Sequence, residues 1–228
     1  EAAYELALEY EPSHPWACNN LGYSLLERGT DLERAGVLLE RAHAALPEEA
    51  AITDSLGWLR YKQGILYDER GPDGAVSRRG AVNLLQAAAK TDRGQRDPTI
   101  LNHYGDALWL AGRAEDARRY WELTQRVASR LLTPSQNPAG RDGDPQKEAP
   151  SPAPAALEEL KTLRESAAAK FEAAQKGGAV RVAPQFGNAD PKPAPNAPGE
   201  SQPSLIPDDR GEPAKDGASE VPVSKRID

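Results

Sequence analysis

The chain has 228 residues, a formal net charge of −7 and no Met. The negative balance is spread over both halves without a basic stripe, which argues against nucleic acid, and no polybasic cluster or long apolar run argues for a membrane contact or membrane insertion. Composition divides the chain: all 4 Trp and 7 Tyr lie before residue 133, whereas 15 of the 20 Pro lie after it. The first part has the apolar material for a core, and most of the second cannot offset its ordering entropy by burial.

In chain order, residues 1–12 read as a helix with Tyr4, Ala7 and Pro12 at large, small and terminating positions. A first helix pair follows. Leu21-Gly22 lies in its first helix, Gly29 closes that helix, and Ala35, Leu39 and Ala42 mark the second, which Pro47 ends. A second pair carries Leu56-Gly57, then Gly64, and then Ala81, Leu85 and Ala88. A third begins at Asp97-Pro98, an N-cap with Pro at the first helical position, and carries Tyr104-Gly105, Gly112, Ala117, Trp121 and Thr124. The physical sense of the pattern is a close crossing of two antiparallel helices. Gly lets the backbones approach, and a large residue on the partner helix fills the adjacent gap. Gly57 is such a crossing, where a larger side chain would wedge the pair apart.

Gly22 and Gly57 are 35 residues apart, but Gly57 and Gly105 are 48 apart. The excess falls in residues 65–80, with Asp68-Glu69-Arg70-Gly71-Pro72-Asp73-Gly74 and then Arg78-Arg79. This segment reads as a solvated loop; the other reading is a flap that touches a partner.

Residues 133–153 are rich in Pro, Ser and Gly and read as a linker. Residues 154–177 carry a thin apolar stripe of Leu157, Leu160, Leu163, Ala167, Phe171 and Ala174. Glu158 and Glu159 near its start, and Lys170 and Lys176 near its end, suit a helix dipole. A loosely held helix is the favoured expectation. Docking on the last repeat and coiling with a partner are the alternatives. Residues 178–228 read as a disordered, Pro-rich tail.

No catalytic constellation is visible. His14, His43 and His103 fall in different parts of the pattern rather than at metal-ligand spacing. The Gly71-Pro72-Asp73-Gly74 stretch lacks the Lys-Ser/Thr of a phosphate loop. Ser24 and Ser55 have no base at a recognisable spacing. Cys18 sits at a packing position and, as the single cysteine, excludes an intrachain disulfide. No cofactor, metal or enzymatic activity is expected.

The three Leu/Tyr-Gly sites, with Asn19-Asn20-Leu21-Gly22-Tyr23 and Asp54-Ser55-Leu56-Gly57-Trp58, make residues 1–132 resemble the tetratricopeptide repeat family, in particular bacterial arrays, several of them associated with the cell envelope. That resemblance implies an all-α superhelix of antiparallel helix pairs, about three repeats plus a preceding half, without strands. The half repeat at the start, entered inside a helical pattern, suggests a piece of a longer protein. The resemblance also implies a concave face that binds a protein or peptide partner. Carried over by position, that face holds Trp16, Asn19, Asn20, Tyr23 and Leu26, then Asp54, Ser55, Trp58, Tyr61 and Lys62, then Asn102, His103, Asp106 and Trp109. Asn19, Asp54 and Asn102 share one offset and suit the main chain of an extended peptide. Tyr23, Trp58, Tyr61 and Trp109 offer flat contact area. Lys62 is the one cation among the second-repeat positions, so a basic clamp for a terminal carboxylate is not evident. Two other functions remain open: a structural spacer, which would bury Trp58 and Tyr23 against its own repeats, and a regulatory array serving an upstream enzyme domain. The compartment stays open between the cytoplasm and the periplasm or envelope.

Overall fold

The computed structural model describes residues 1–133, 153–183 and 186. Its helices are α1 (Ala2–Tyr10), α2 (Pro15–Arg28), α3 (Leu32–Ala45), α4 (Ala50–Lys62), α5 (Ala81–Lys90), α6 (Pro98–Leu110), α7 (Ala114–Leu132) and α8 (Pro154–Gln175), with a 3-10 turn at Gly94–Arg96. Within the repeats, α2 packs on α3, α4 on α5 and α6 on α7; α2, α4 and α6 also touch in sequence, forming an inner layer. The described residues form an all-α array of helices packed in adjacent pairs.

The crossings are built as the pattern requires. A Cβ on Gly22 would lie 2.9 Å from Leu39 Cγ, one on Gly57 2.8 Å from Leu85 Cγ, and one on Gly105 2.7 Å from Trp121 Cδ1. Leu39, Leu85 and Trp121 are fully buried. Each inner helix ends the same way, on a left-handed glycine: Gly29, Gly64 and Gly112 have φ of 65°, 77° and 77°. Each is followed by an amide reaching back five residues: Thr30 N to Leu25 O, Ile65 N to Arg60 O, and Arg113 N to Leu108 O. At its start, α2 is capped by the His14 ring accepting from Ala17 N. Asp97 caps α6, its Oδ1 accepting from Thr99 N at 2.9 Å and Ile100 N at 3.4 Å.

The expectation of no strands is corrected in the insertion. β1 (Glu69–Arg70) and β2 (Val76–Arg78) form a small antiparallel hairpin, Glu69 opposite Arg78. Gly71-Pro72-Asp73-Gly74 supplies the reversal, with Gly74 at φ 78° and Asp73 Oδ1 accepting from Ala75 N. The strands are solvent-exposed on both faces, so no apolar alternation marks them in the sequence. The hairpin base is fixed more firmly. Ala81 N and Val82 N donate to Ile65 O and Leu66 O, and Gly80 is pressed so closely on Tyr67 that a Cβ there would meet its carbonyl carbon at 2.3 Å.

The favoured expectation for residues 154–177 is also corrected. α8 is packed along α7 and touches α6. Its buried face is Ala167, Lys170 and Ala174. Residues 180–183 and Phe186, read as tail, lie against the array's core. The linker over 134–152 and the remainder of the tail lie outside the described residues.

Candidate functional site

The candidate residues lie on the inner-layer helices α2, α4 and α6, but not all of them are at the surface. Asn19, Asp54 and Asn102 are only 6%, 5% and 7% exposed, and Trp58 and Tyr61 are 4% and 0% exposed. Trp58 is sandwiched between Tyr61, ring centroids 4.5 Å apart, and His103, 3.9 Å apart, both nearly parallel to it. Its Nε1 donates to Glu27 Oε1 at 2.7 Å, and Lys62 Nζ lies 5.2 Å from its ring centroid. His103 Nδ1 in turn is 3.0 Å from Asp54 Oδ2. The expectation of Trp58 as an open contact residue therefore does not hold: it is a strut between repeats two and three. Tyr23 and Trp109 remain half-buried, Trp109 tilted against Trp121 at 5.7 Å.

The groove has two halves. The half between α2 and α4 is open, with a pocket of about 620 Å³ lined by Asn19, Asn20, Tyr23, Glu27, Asp54 and Ser55 among others. Asn19 Nδ2 donates to Asn20 Oδ1, while Asn19 Oδ1 is buried without a donor. Burial first, then the negative charge of Glu27, Asp54, Asp97 and Glu159, pushes the Tyr23 phenol well above its ordinary value. Tyr23 is thus a neutral hydroxyl in a pocket of negative potential.

The half between α4 and α6 is filled by the C-terminal segment of the same chain. Lys170 of α8 puts its Nζ 2.8 and 2.9 Å from the two Asp106 oxygens and 3.1 Å from Asn102 Oδ1. Asp106 is completely buried and also accepts from Trp121 Nε1. Beyond α8, Ala183 and Phe186 reach the same half of the groove. Ala183 N donates to Asp106 Oδ2 at 3.3 Å, Tyr61 Oη donates to Ala183 O at 2.5 Å, and Phe186 N donates to Lys62 O at 2.7 Å. Burial, then the Asp106 charge, raises the Tyr61 phenol, which keeps it a donor. Lys170, Ala183 and Phe186 are not among the positions the repeat pattern points to. One signal for Lys170 lies in the sequence: it sits three residues after Ala167 and four before Ala174, placing a cation on the face the two alanines mark as buried.

Cys18 is a core thiol. It is fully buried, its Sγ is 3.6 Å from Pro12 O, and burial raises its pKa. Among the described residues no cluster of metal-ligating side chains occurs, and no helix is long and apolar enough to cross a membrane.

No family model matches the chain. Over 58 residues it is 45% identical to a TPR repeat-containing protein of Pseudomonas aeruginosa, a stretch that spans 25% of this chain and 10% of that protein. With the glycine-centred helix pairs above, this makes the array similar to tetratricopeptide repeats, a class of protein–protein interaction modules.

Proposed function

We propose that the groove lined by α2, α4 and α6 binds a segment of a partner protein, and that the open α2–α4 half is where a partner engages. The observation that carries this reading is how the other half is filled. Both main-chain groups of Ala183 are bonded, by Asp106 and Tyr61, and Phe186 N is bonded by the Lys62 carbonyl. Groove groups that complement an extended main chain are the equipment of a peptide receptor. The open half offers polar groups of its own, the Asn20 side chain and the Tyr23 hydroxyl.

The spacer reading draws support from the burial of Trp58. One experiment separates the two. Partners retained by the full chain are identified, and binding is titrated against variants by calorimetry. Tyr23→Ala is expected to weaken binding by about 2 kcal/mol, as hot-spot aromatics do. Asn20→Ala is expected to cost about 1 kcal/mol, the net value of one neutral hydrogen bond. Arg119→Ala, on the exposed side of α7, should change little. Loss of binding in Arg119→Ala with Tyr23 and Asn20 silent would move the ligand out of the groove.

A further inference from the structure

The C-terminal segment binds the array through polar as well as apolar contacts. Phe171, Val180, Val182 and Phe186 lie against the core, but the fully buried positions of α8 are two alanines and a lysine. Lys170 and Asp106 are 9% and 0% exposed at their side chains. A buried ion pair is commonly no more stabilising than apolar residues of the same shape, because both charges lose their hydration. What such a pair does supply is discrimination, since Asp106 without a cation is left buried and unpaired. The contacts that follow are equally ligand-like: main-chain bonds at Ala183 and Phe186, the side chain of Val182 buried, and the Phe186 ring with Lys62 Nζ 6.0 Å from its centroid.

We propose that the α4–α6 half of the groove is a binding site for a lysine-bearing helix followed by a segment held through its main chain, and that residues 154–183 with Phe186 are its resident, displaceable occupant. This deepens the reading of the groove as a peptide receptor and rests on it. A partner that takes the whole groove presents the same three features. It carries a cation on a small-residue helical face for Asp106 and Asn102. It has main-chain groups, about a dozen residues further on in the manner of Lys170 and Ala183, for Tyr61 and Asp106. It ends in an aromatic side chain beside Lys62.

The test uses the full chain and a fluorescein-labelled synthetic peptide of residues 154–186. In the parent protein the tethered copy competes at an effective concentration on the order of millimolar, typical of short linkers, so the added peptide binds poorly. Lys170→Glu faces Asp106 with like charge and releases the tethered copy. The full-length Lys170→Glu chain is expected to bind the added peptide at least about tenfold more tightly than the parent does. Adding Asp106→Asn to that chain is expected to weaken the gain about tenfold, because the charge-assisted bonds to the peptide's lysine are lost. Equal binding by parent and Lys170→Glu, or a gain untouched by Asp106→Asn, overturns the proposal. If Lys170→Glu loses its helical far-UV signal, the comparison is made with Lys170→Ala; unfolding of both also overturns it, because the segment would then be part of the fold. The probe is the chain's own segment, so failure here is distinguishable from failure of partner binding in the open half.

Discussion

The same substitution, glycine to alanine inside a helix, should have opposite signs at two positions of this array. At Gly36, in α3, an added Cβ would meet only Leu59 Cδ2 at 3.8 Å, an ordinary contact. Alanine there removes the conformational freedom of a mid-helix glycine and is expected to stabilise by roughly 0.5–1 kcal/mol. At Gly57 the added Cβ would lie 2.8 and 2.9 Å from Leu85 Cγ and Cδ2 and 3.1 Å from Leu84 Cβ. Leu84 and Leu85 are both 0% exposed, so neither has room to give. Overpacking of a filled core costs roughly 1–3 kcal/mol, against which the helical gain of roughly 0.5–1 kcal/mol is too small. The net expectation for Gly57→Ala is a loss of about 1–2 kcal/mol. For a chain of this size, Tm should fall by roughly 2–8 °C for Gly57→Ala and rise by roughly 1–4 °C for Gly36→Ala. Thermal unfolding followed by circular dichroism measures both. Shifts of the same sign would refute the close-crossing account of the repeat.

Other outcomes follow from single side chains. Asp97→Ala removes the cap that holds Thr99 N and Ile100 N and should cost about 1 kcal/mol, read as a lower urea midpoint. Burial, then neighbouring Tyr120, pushes the Tyr104 phenol from its ordinary value near 10 up to about 12. The unfolded chain therefore gives up this proton first as pH rises. Stability from this group is complete below pH about 10 and is lost progressively toward pH about 12, by roughly 2–3 kcal/mol. Tyr104→Phe should flatten that part of the alkaline decline in urea titrations; an unchanged slope would count against it. With burial raising its pKa, Cys18 should react with a thiol reagent at pH 8 only as fast as the array opens, and rapid labelling of the native protein would contradict its place in the core.

The array was legible in the sequence because its constraint is local and repeated. Gly22, Gly57 and Gly105 each need a large partner on the following helix of the pair, and Leu39, Leu85 and Trp121 stand there. Caps such as Asp97-Pro98 are visible for the same reason: the chemistry lies within three residues. What escaped is long-range or without a period. The burial of Trp58 depends on His103, 45 positions on, and on Glu27, 31 positions back, and nothing around Trp58 announces either. Lys170 and Asp106 are 64 positions apart, and a lysine late in a helix already has a sufficient explanation in the helix dipole. The hairpin of residues 69–78 has both faces in solvent, so no alternation could mark it.

The insertion between α4 and α5 has a mechanical consequence. Its base is clamped by Gly80 against Tyr67, and Tyr67 Oη donates to Ala111 O, in the turn that joins α6 to α7. The connection inside repeat two is thereby tied across to the hinge of repeat three. Any twisting of one repeat relative to the next must stretch this outer brace as well as slide the inner helices. The pitch of the stack at that joint is set from both sides, as a truss is, and the spacing between α4 and α6 is held to a fixed gauge. The proposed binding of a lysine and a main-chain carbonyl between α4 and α6 depends on such a gauge.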